Sequence, residues 1–283
     1  MTAGPVERWV EESPYTAALG VRVRELSRER VVLELPFAEA NSNPGKALHG
    51  GCAASLAAVG GQAVTRLALG EASGPWHTCA LQVGYLSAAI DEGVVATATL
   101  LREGKQLCFV AVEIATPDGK PIAQASSVVR ARLGAPAAEL HRSAGDDGTS
   151  DPGRMGPLIG QLPFVAGRGI SVEHMTGGRS RLRMPFRAAN ADGSGGVHEG
   201  ALLALLDTTG AMASWAETGP GPFKASTPAM QAQILAPASK DDLVAYGRMR
   251  QRDAELFWSD AEVASATDGR VVARGTVIYR ILA

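Results

Sequence analysis

One offset organises the whole chain. Sliding the 283-residue sequence along itself by 149 positions lays Leu35-Pro36-Phe37 on Met184-Pro185-Phe186, Asn41 on Asn190, His49 on His198, Gly51 on Gly200 and Gly61 on Gly210. The same offset carries Thr78 to Thr227, Gln82 to Gln231 and Leu86 to Leu235, so the register holds over more than fifty positions without a gap. After one inserted residue, Asp118-Gly119-Lys120 meets Asp268-Gly269-Arg270. Chance does not keep turn glycines and polar residues in step over that distance, so the chain reads as a tandem duplication of one unit. Between the copies, Gly134 to Arg154 is rich in Gly, Ala, Ser, Asp and Pro, which is the composition of a linker. The expected division is an N-terminal unit over 1–134, a linker over 135–153 and a C-terminal unit over 154–283. Such a linker is long enough to cross the face of a small domain, so the units can pair side by side as an intramolecular pseudo-dimer.

Each copy has the same internal grammar. A short amphipathic helix (Val6 to Glu12; Pro157 to Leu162) precedes strands of alternating polarity, such as Val21 to Leu26 and Arg30 to Leu35. A loop rich in Gly and Asn follows, then an Ala- and Leu-rich segment, His49 to Leu69 and His198 to Glu217, too long for a strand and free of proline. Three or four further strands complete the unit, the last two joined at Asp118-Gly119 and Asp268-Gly269, which suit tight hairpins. The expected class is α+β: two fused units, each an antiparallel sheet wrapped around one long central helix.

Bulk properties narrow the partners. With 46% hydrophobic and 20% charged residues, each half can bury a core of its own. A net charge of -2 leaves no excess of Lys and Arg to neutralise a phosphate backbone or an anionic membrane, so neither nucleic acid nor a membrane is an expected partner. No stretch reads as a membrane span or a leader, and Cys52, Cys79 and Cys108 sit in apolar runs as small core residues. The chain is read as cytoplasmic. His49, His77, His141, His174 and His198 show no metal-ligand spacing, so no metal or other cofactor is expected.

The chemistry lies where the copies differ. In the first, Asn43-Pro-Gly-Lys-Ala-Leu-His49-Gly50-Gly51 opens the central helix, where backbone amides lack partners and bare glycine lets a substrate oxygen come close. Gly50 and Gly51 equally suit tight packing of helix against sheet. In the second, Asp207 lies nine residues after His198, and its spacing from Leu203 puts it on the apolar face of the helix. A carboxyl there rises in pKa and suits a general base or nucleophile, unless Thr208 or Thr209 satisfies it or it turns to a solvated edge. The first copy has Ala58 where the second has Asp207, and Gly50 where the second has Glu199; Asn43 faces Asp192. Neither copy alone carries both halves of a site. Two paired copies assemble one complete site and one degenerate one, made of Ala58, Thr78, Asp192, His198 and Glu199.

Asn43, five residues, His49-Gly50-Gly51, and an acid nine positions after the equivalent histidine together resemble the hotdog-fold acyl-CoA thioesterases of the phenylacetate-type (PaaI-like) branch. The resemblance spans both halves and makes the chain similar to a double-hotdog member; Ala58, Asp192 and Glu199 depart from the pattern. It implies that Asn43 and Gly50 hold the thioester oxygen and that His49 orients Asn43 or the loop. It further implies that Asp207 is base or nucleophile and that Thr227 positions water, with Gly51, Leu203 and Thr208 on the substrate side. The substrate implied is an acyl-CoA, hydrolysed to free acid and CoA, and further pairing of two chains is typical of the family. Two other readings compete: a hotdog enoyl-CoA hydratase, whose loop spacing Asn43-Pro44 to His49 does not keep, and a non-catalytic acyl-CoA binding or regulatory module, against which Asp207 argues.

Overall fold

The architecture begins with the two central helices, α3 (Gly50–Leu69) and α6 (Glu199–Thr218). Both are apolar nearly all round and buried along most of their length, which is the signature of a helix with protein on every side. By length and composition α3 would also suit a bilayer; instead it forms the core of its own half. The computed structural model describes residues 4–131 and 139–282, so positions 135–138 of the expected linker lie outside the described residues.

Around each helix curls one half of a single sheet. The first half contributes β1 (Arg22–Leu26), β2 (Arg30–Leu35), β3 (His77–Tyr85), β4 (Val94–Glu103), β5 (Leu107–Ala115) and β6 (Pro121–Arg130). The second contributes β7 (Ser171–Thr176), β8 (Arg179–Met184), β9 (Lys224–Ile234), β10 (Leu243–Arg252), β11 (Leu256–Ser265) and β12 (Val271–Leu282). The twelve strands run in the order β1-β2-β4-β5-β6-β3-β9-β12-β11-β10-β8-β7, a palindrome about the β3–β9 seam. At that seam the strands are antiparallel and Gln82 faces Gln231. These residues are related by the repeat offset, so the pseudo-twofold axis passes between them. The expected Asp-Gly hairpins close β5–β6 and β11–β12.

The helices lie against each other across the same axis. A Cβ on Gly51 would stand 2.6 Å from Cβ of Ala204, and one on Gly200 would stand 2.7 Å from Oγ of Ser55, so these equivalent glycines let the backbones approach. Around this contact, Leu202, Leu203, Leu205, Leu206, Leu56 and Leu33 are fully buried.

Two sequence expectations change. Each half opens on two short helices rather than one: α1 (Pro5–Glu12) and α2 (Pro14–Leu19), then α4 (Gly156–Ile159) and α5 (Pro163–Arg168). Pro14 and Pro163 start the extra helices at their first position, and Gly20 and Gly169 end them in the left-handed conformation. Cys79 is only half-buried, unlike Cys52 and Cys108. The described part of the linker packs onto the second half. Val271 donates to the carbonyl of His141 at 2.9 Å, Asp147 pairs with Arg179 at 2.6 Å, and Asp146 pairs with the buried Arg181.

Candidate active site

The N-terminal ends of α3 and α6 each point at the other half of the molecule. His49 caps α3: its Nδ1 accepts from the Gly51 amide at 2.9 Å, and burial lowers its pKa to about 3, so the ring is neutral. The ring stacks on Phe164 of the second half, with centroids 4.1 Å apart. His198 caps α6 in the same way and stacks on Tyr15 of the first half at 4.8 Å. Each cap is thus gripped by an aromatic ring from the opposite copy. The His49 side chain bonds to Gly51 and not to Asn43, while its backbone amide holds the loop through the carbonyl of Asn41.

Beside the His49 cap, the structure brings Gly50, Asp207 and Thr227 together. A Cβ on Gly50 would lie 2.7 Å from Asp207 Oδ2, so the missing side chain is the space the carboxylate uses. Thr227 Oγ1 donates to Asp207 Oδ1 at 3.1 Å. Tyr85 packs against Gly50 and donates to its carbonyl at 3.3 Å, and Trp215 Nε1 donates to the Tyr279 hydroxyl at 3.1 Å. Asp207 is only 4% exposed, whereas Gly50, Tyr85 and Thr227 keep part of their surface in solvent. Burial raises the Asp207 pKa to about 6, against the Thr227 hydrogen bond, which lowers it. Both pushes are physically expected, and desolvation is the larger. The Gly50 amide, at the first turn of α3, donates to no group among the described residues. A buried carboxyl whose pKa is raised to about 6 therefore lies beside an unpaired helix-end amide, one from each half of the chain.

Other sequence candidates fall elsewhere. Asn43 is half-buried in the loop before α3; its amide donates to the carbonyl of Ala47 at 2.7 Å, and its side chain has no partner among the described residues. Gly51 serves the helix contact with Ala204, Leu203 is fully buried, and Thr208 returns its hydroxyl to the carbonyl of Ala204 at 2.8 Å. These three line packing rather than the space beside Asp207.

The mirror position is built differently. Glu199 stands at the equivalent of Gly50, and its Oε2 accepts from Gln62 Nε2 at 2.6 Å and from the Thr78 amide at 3.1 Å. Ala58 is buried and adds no polar group. Asp192 folds its carboxylate onto its own loop, accepting from the Ser194 and Gly196 amides at 2.8 and 3.0 Å. Burial raises Glu199 to about 7, opposed by the hydrogen bonds from Thr78 and Gln62 and by Arg66. Sequence reasoning missed Tyr85, Gln62 and Arg66. The signal was there: their counterparts one offset away are Ile234, Ala211 and Trp215, so each is polar in one copy only.

A cavity of about 760 Å³ opens on the outer face of the sheet, between the β3–β9 seam and the strap at Ala144, Gly145 and Asp146. Gln82, Gln231 and Arg248 line it, and it shares no residue with the Asp207 cluster.

Comparison with known proteins adds the following. Residues 38–131 match the family described as acyl-CoA thioesterase N-terminal domain. Acyl-coenzyme A thioesterase 13 of Mus musculus is 34% identical over 98 residues, covering 34% of this chain and 69% of the mouse protein. Among solved structures, a hotdog-fold protein from Alicyclobacillus acidocaldarius superposes with a TM-score of 0.65 at 16% identity, covering 100% of this chain and 99% of its own. An acyl-CoA thioesterase II from Mycobacterium marinum gives 0.66 at 10% identity over 96% of this chain and 97% of its own. At these identities the structural likeness speaks for the fold: two hotdog units in one chain.

Proposed function

The chain belongs to the hotdog-fold acyl-CoA thioesterase family and is a thioester hydrolase, and from that premise we propose that it hydrolyses an acyl-CoA at one composite site between its two halves. The observation that carries the reading is the convergence of Gly50 from the first half with Asp207 and Thr227 from the second. In this reading the thioester carbonyl oxygen points at the Gly50 amide, where the helix end stabilises the negative charge that develops on it. Asp207 takes a proton from water, whose oxygen bonds to the carbonyl carbon as the C–S bond breaks and the proton passes to the departing CoA sulfur; or its carboxylate attacks that carbon, expelling CoA thiolate and leaving an anhydride that water then cleaves to the free acid and Asp207. Thr227 fixes the carboxylate, and its hydroxyl stands next to the water. A thioester has weak resonance and a good leaving group, so a polarised carbonyl and a positioned carboxylate are enough.

Asn43 belongs to this proposal as a second donor to the carbonyl oxygen, a role that its unpartnered side chain leaves open to it. His49 acts at one remove by fixing the turn that presents the Gly50 amide. The mirror site, with Ala58 for the acid and Glu199 over the helix end, is proposed not to hydrolyse. Pairing of two such chains into a dimer is part of the same reading, and light scattering reads it directly. The experiment that tests the catalytic proposal is thiol release from a panel of acyl-CoAs. Asp207→Asn is expected to slow release by about 10²–10⁴-fold while Glu199→Gln retains it. Full activity in Asp207→Asn would refute the assignment.

A further inference from the structure

The two sites exchange an acid for a small residue. At the composite site the carboxyl comes from Asp207 and the space for it from Gly50; at the mirror site Ala58 stops short and Glu199 extends from the glycine's place. The two carboxyls end beside equivalent residues. Asp207 is held by the hydroxyl of Thr227, and Glu199 by the amide of Thr78, one offset away. What the Glu199 carboxyl engages, a backbone N–H and the amide N–H of Gln62, are donors suited to a carbonyl or carboxylate oxygen of a ligand. Burial also raises its pKa to about 7, which eases the cost of keeping the group there.

From Gln62 the chain of contacts runs on to Arg66. Arg66 lies between two indoles, 3.6 Å from the centroid of Trp9 and 4.3 Å from that of Trp76, and its Nη2 is 3.5 Å from Gln62 Oε1. Its Nε is buried without a partner. One offset away, the composite site has Leu158 for Trp9, Trp215 for Arg66, Ala211 for Gln62 and Ala225 for Trp76. Leu158 is 61% exposed, so it does not cover its neighbours as Trp9 covers Arg66.

Resting on the reading of the composite site above, we propose that the mirror site is a second acyl-CoA site held shut by its own Glu199. The side chain fills the place of the thioester group, and Arg66 between Trp9 and Trp76 closes the way in. The site is therefore built and occupied from within. Removing the side chain frees the Thr78 and Gln62 donors and gives the cleft the bare helix end that Gly50 provides in the other.

The test is binding stoichiometry in the full chain, with Asp207→Asn as the parent so that ligand is not consumed, titrated calorimetrically with straight-chain acyl-CoAs from acetyl to decanoyl. The parent is expected to bind one equivalent. Adding Glu199→Gly or Glu199→Ala is expected to raise this to two, and adding Glu199→Gln, which keeps the shape, to leave it at one. One equivalent in both the Gly and Ala variants, including after Trp9→Ala, overturns the proposal, as does a parent that already binds two. None in the parent with one in the Glu199→Gly variant would overturn the composite-site reading and leave the closed second site standing. None in either would overturn both.

Discussion

The composite site and the mirror site are the same piece of backbone used twice, and they differ in which helix supplies the carboxyl. At the first, the acid rises from the third turn of α6 to a bare helix end; at the second it descends from the helix end itself and bonds to protein donors. Duplication lets one interface keep an unpaired donor opposite a raised carboxylate while the other satisfies its carboxylate internally. A symmetric dimer of identical units must build its two sites alike, because Gly and Glu cannot share one position; duplication lets the two differ.

The comparison breaks most easily at Asp207. Asp207→Asn is expected to lower kcat/KM by about 10²–10⁴-fold in a thiol-release assay, the usual worth of a positioned acid–base group, while far-ultraviolet circular dichroism stays native. Gly50→Ala comes next. Its Cβ would fall 2.7 Å from Asp207 Oδ2, so the carboxylate must move, and a loss of about 10²-fold is expected with little loss of melting temperature. Glu199→Gln at the mirror position should leave turnover within about twofold of wild type, because its hydrogen bonds stop at Gln62 and Thr78.

Much of this asymmetry is legible in the sequence, because it is written as differences against a fixed offset. The repeat, the central helices, the Asp-Gly hairpins and the exchange of Gly50 and Ala58 for Glu199 and Asp207 follow from residue identity alone. Other features depend on contacts between residues far apart in the chain. That Phe164 grips His49, that Tyr85 reaches Gly50, and that Arg66 sits between Trp9 and Trp76 are set by how the halves dock. The short helices α2 and α5 were readable from Pro14, Gly20 and their counterparts Pro163 and Gly169, yet each is too brief to show a periodic stripe. The strap illustrates the opposite limit: its Gly, Ser and Asp composition suggests freedom, but Asp146 and Asp147 find Arg181 and Arg179.

Titration sharpens the comparison further. With Asp207 raised to about 6 by burial, kcat/KM should climb with pH through a single ionisation near 6 and then level. The same shift has an opposite sign for stability. Because the folded state binds this proton more tightly than the unfolded chain, whose carboxyl titrates near 3.8, the stabilisation is complete below that value and is lost as pH rises through about 6. Thermal melts should therefore show a smaller fall between pH 4 and 7 in Asp207→Asn than in wild type, by on the order of five degrees for a chain of this size. Thr227→Val is expected to act more weakly than Gly50→Ala. Loss of its hydrogen bond to Asp207 moves the acid limb of the rate profile upward by a fraction of a pH unit, with turnover falling about tenfold or less.

The central claim is that a single cleft, half from each copy, does the chemistry. A crystal structure with an acyl-CoA ketone analogue, in which a methylene replaces the thioester sulfur, tests it most directly. The account predicts one analogue per chain, its carbonyl oxygen within hydrogen-bonding distance of the Gly50 amide and its carbonyl carbon facing Asp207. An analogue whose carbonyl lies against Glu199, or in the cavity beneath the strap, with the Asp207 cleft left empty, would contradict it.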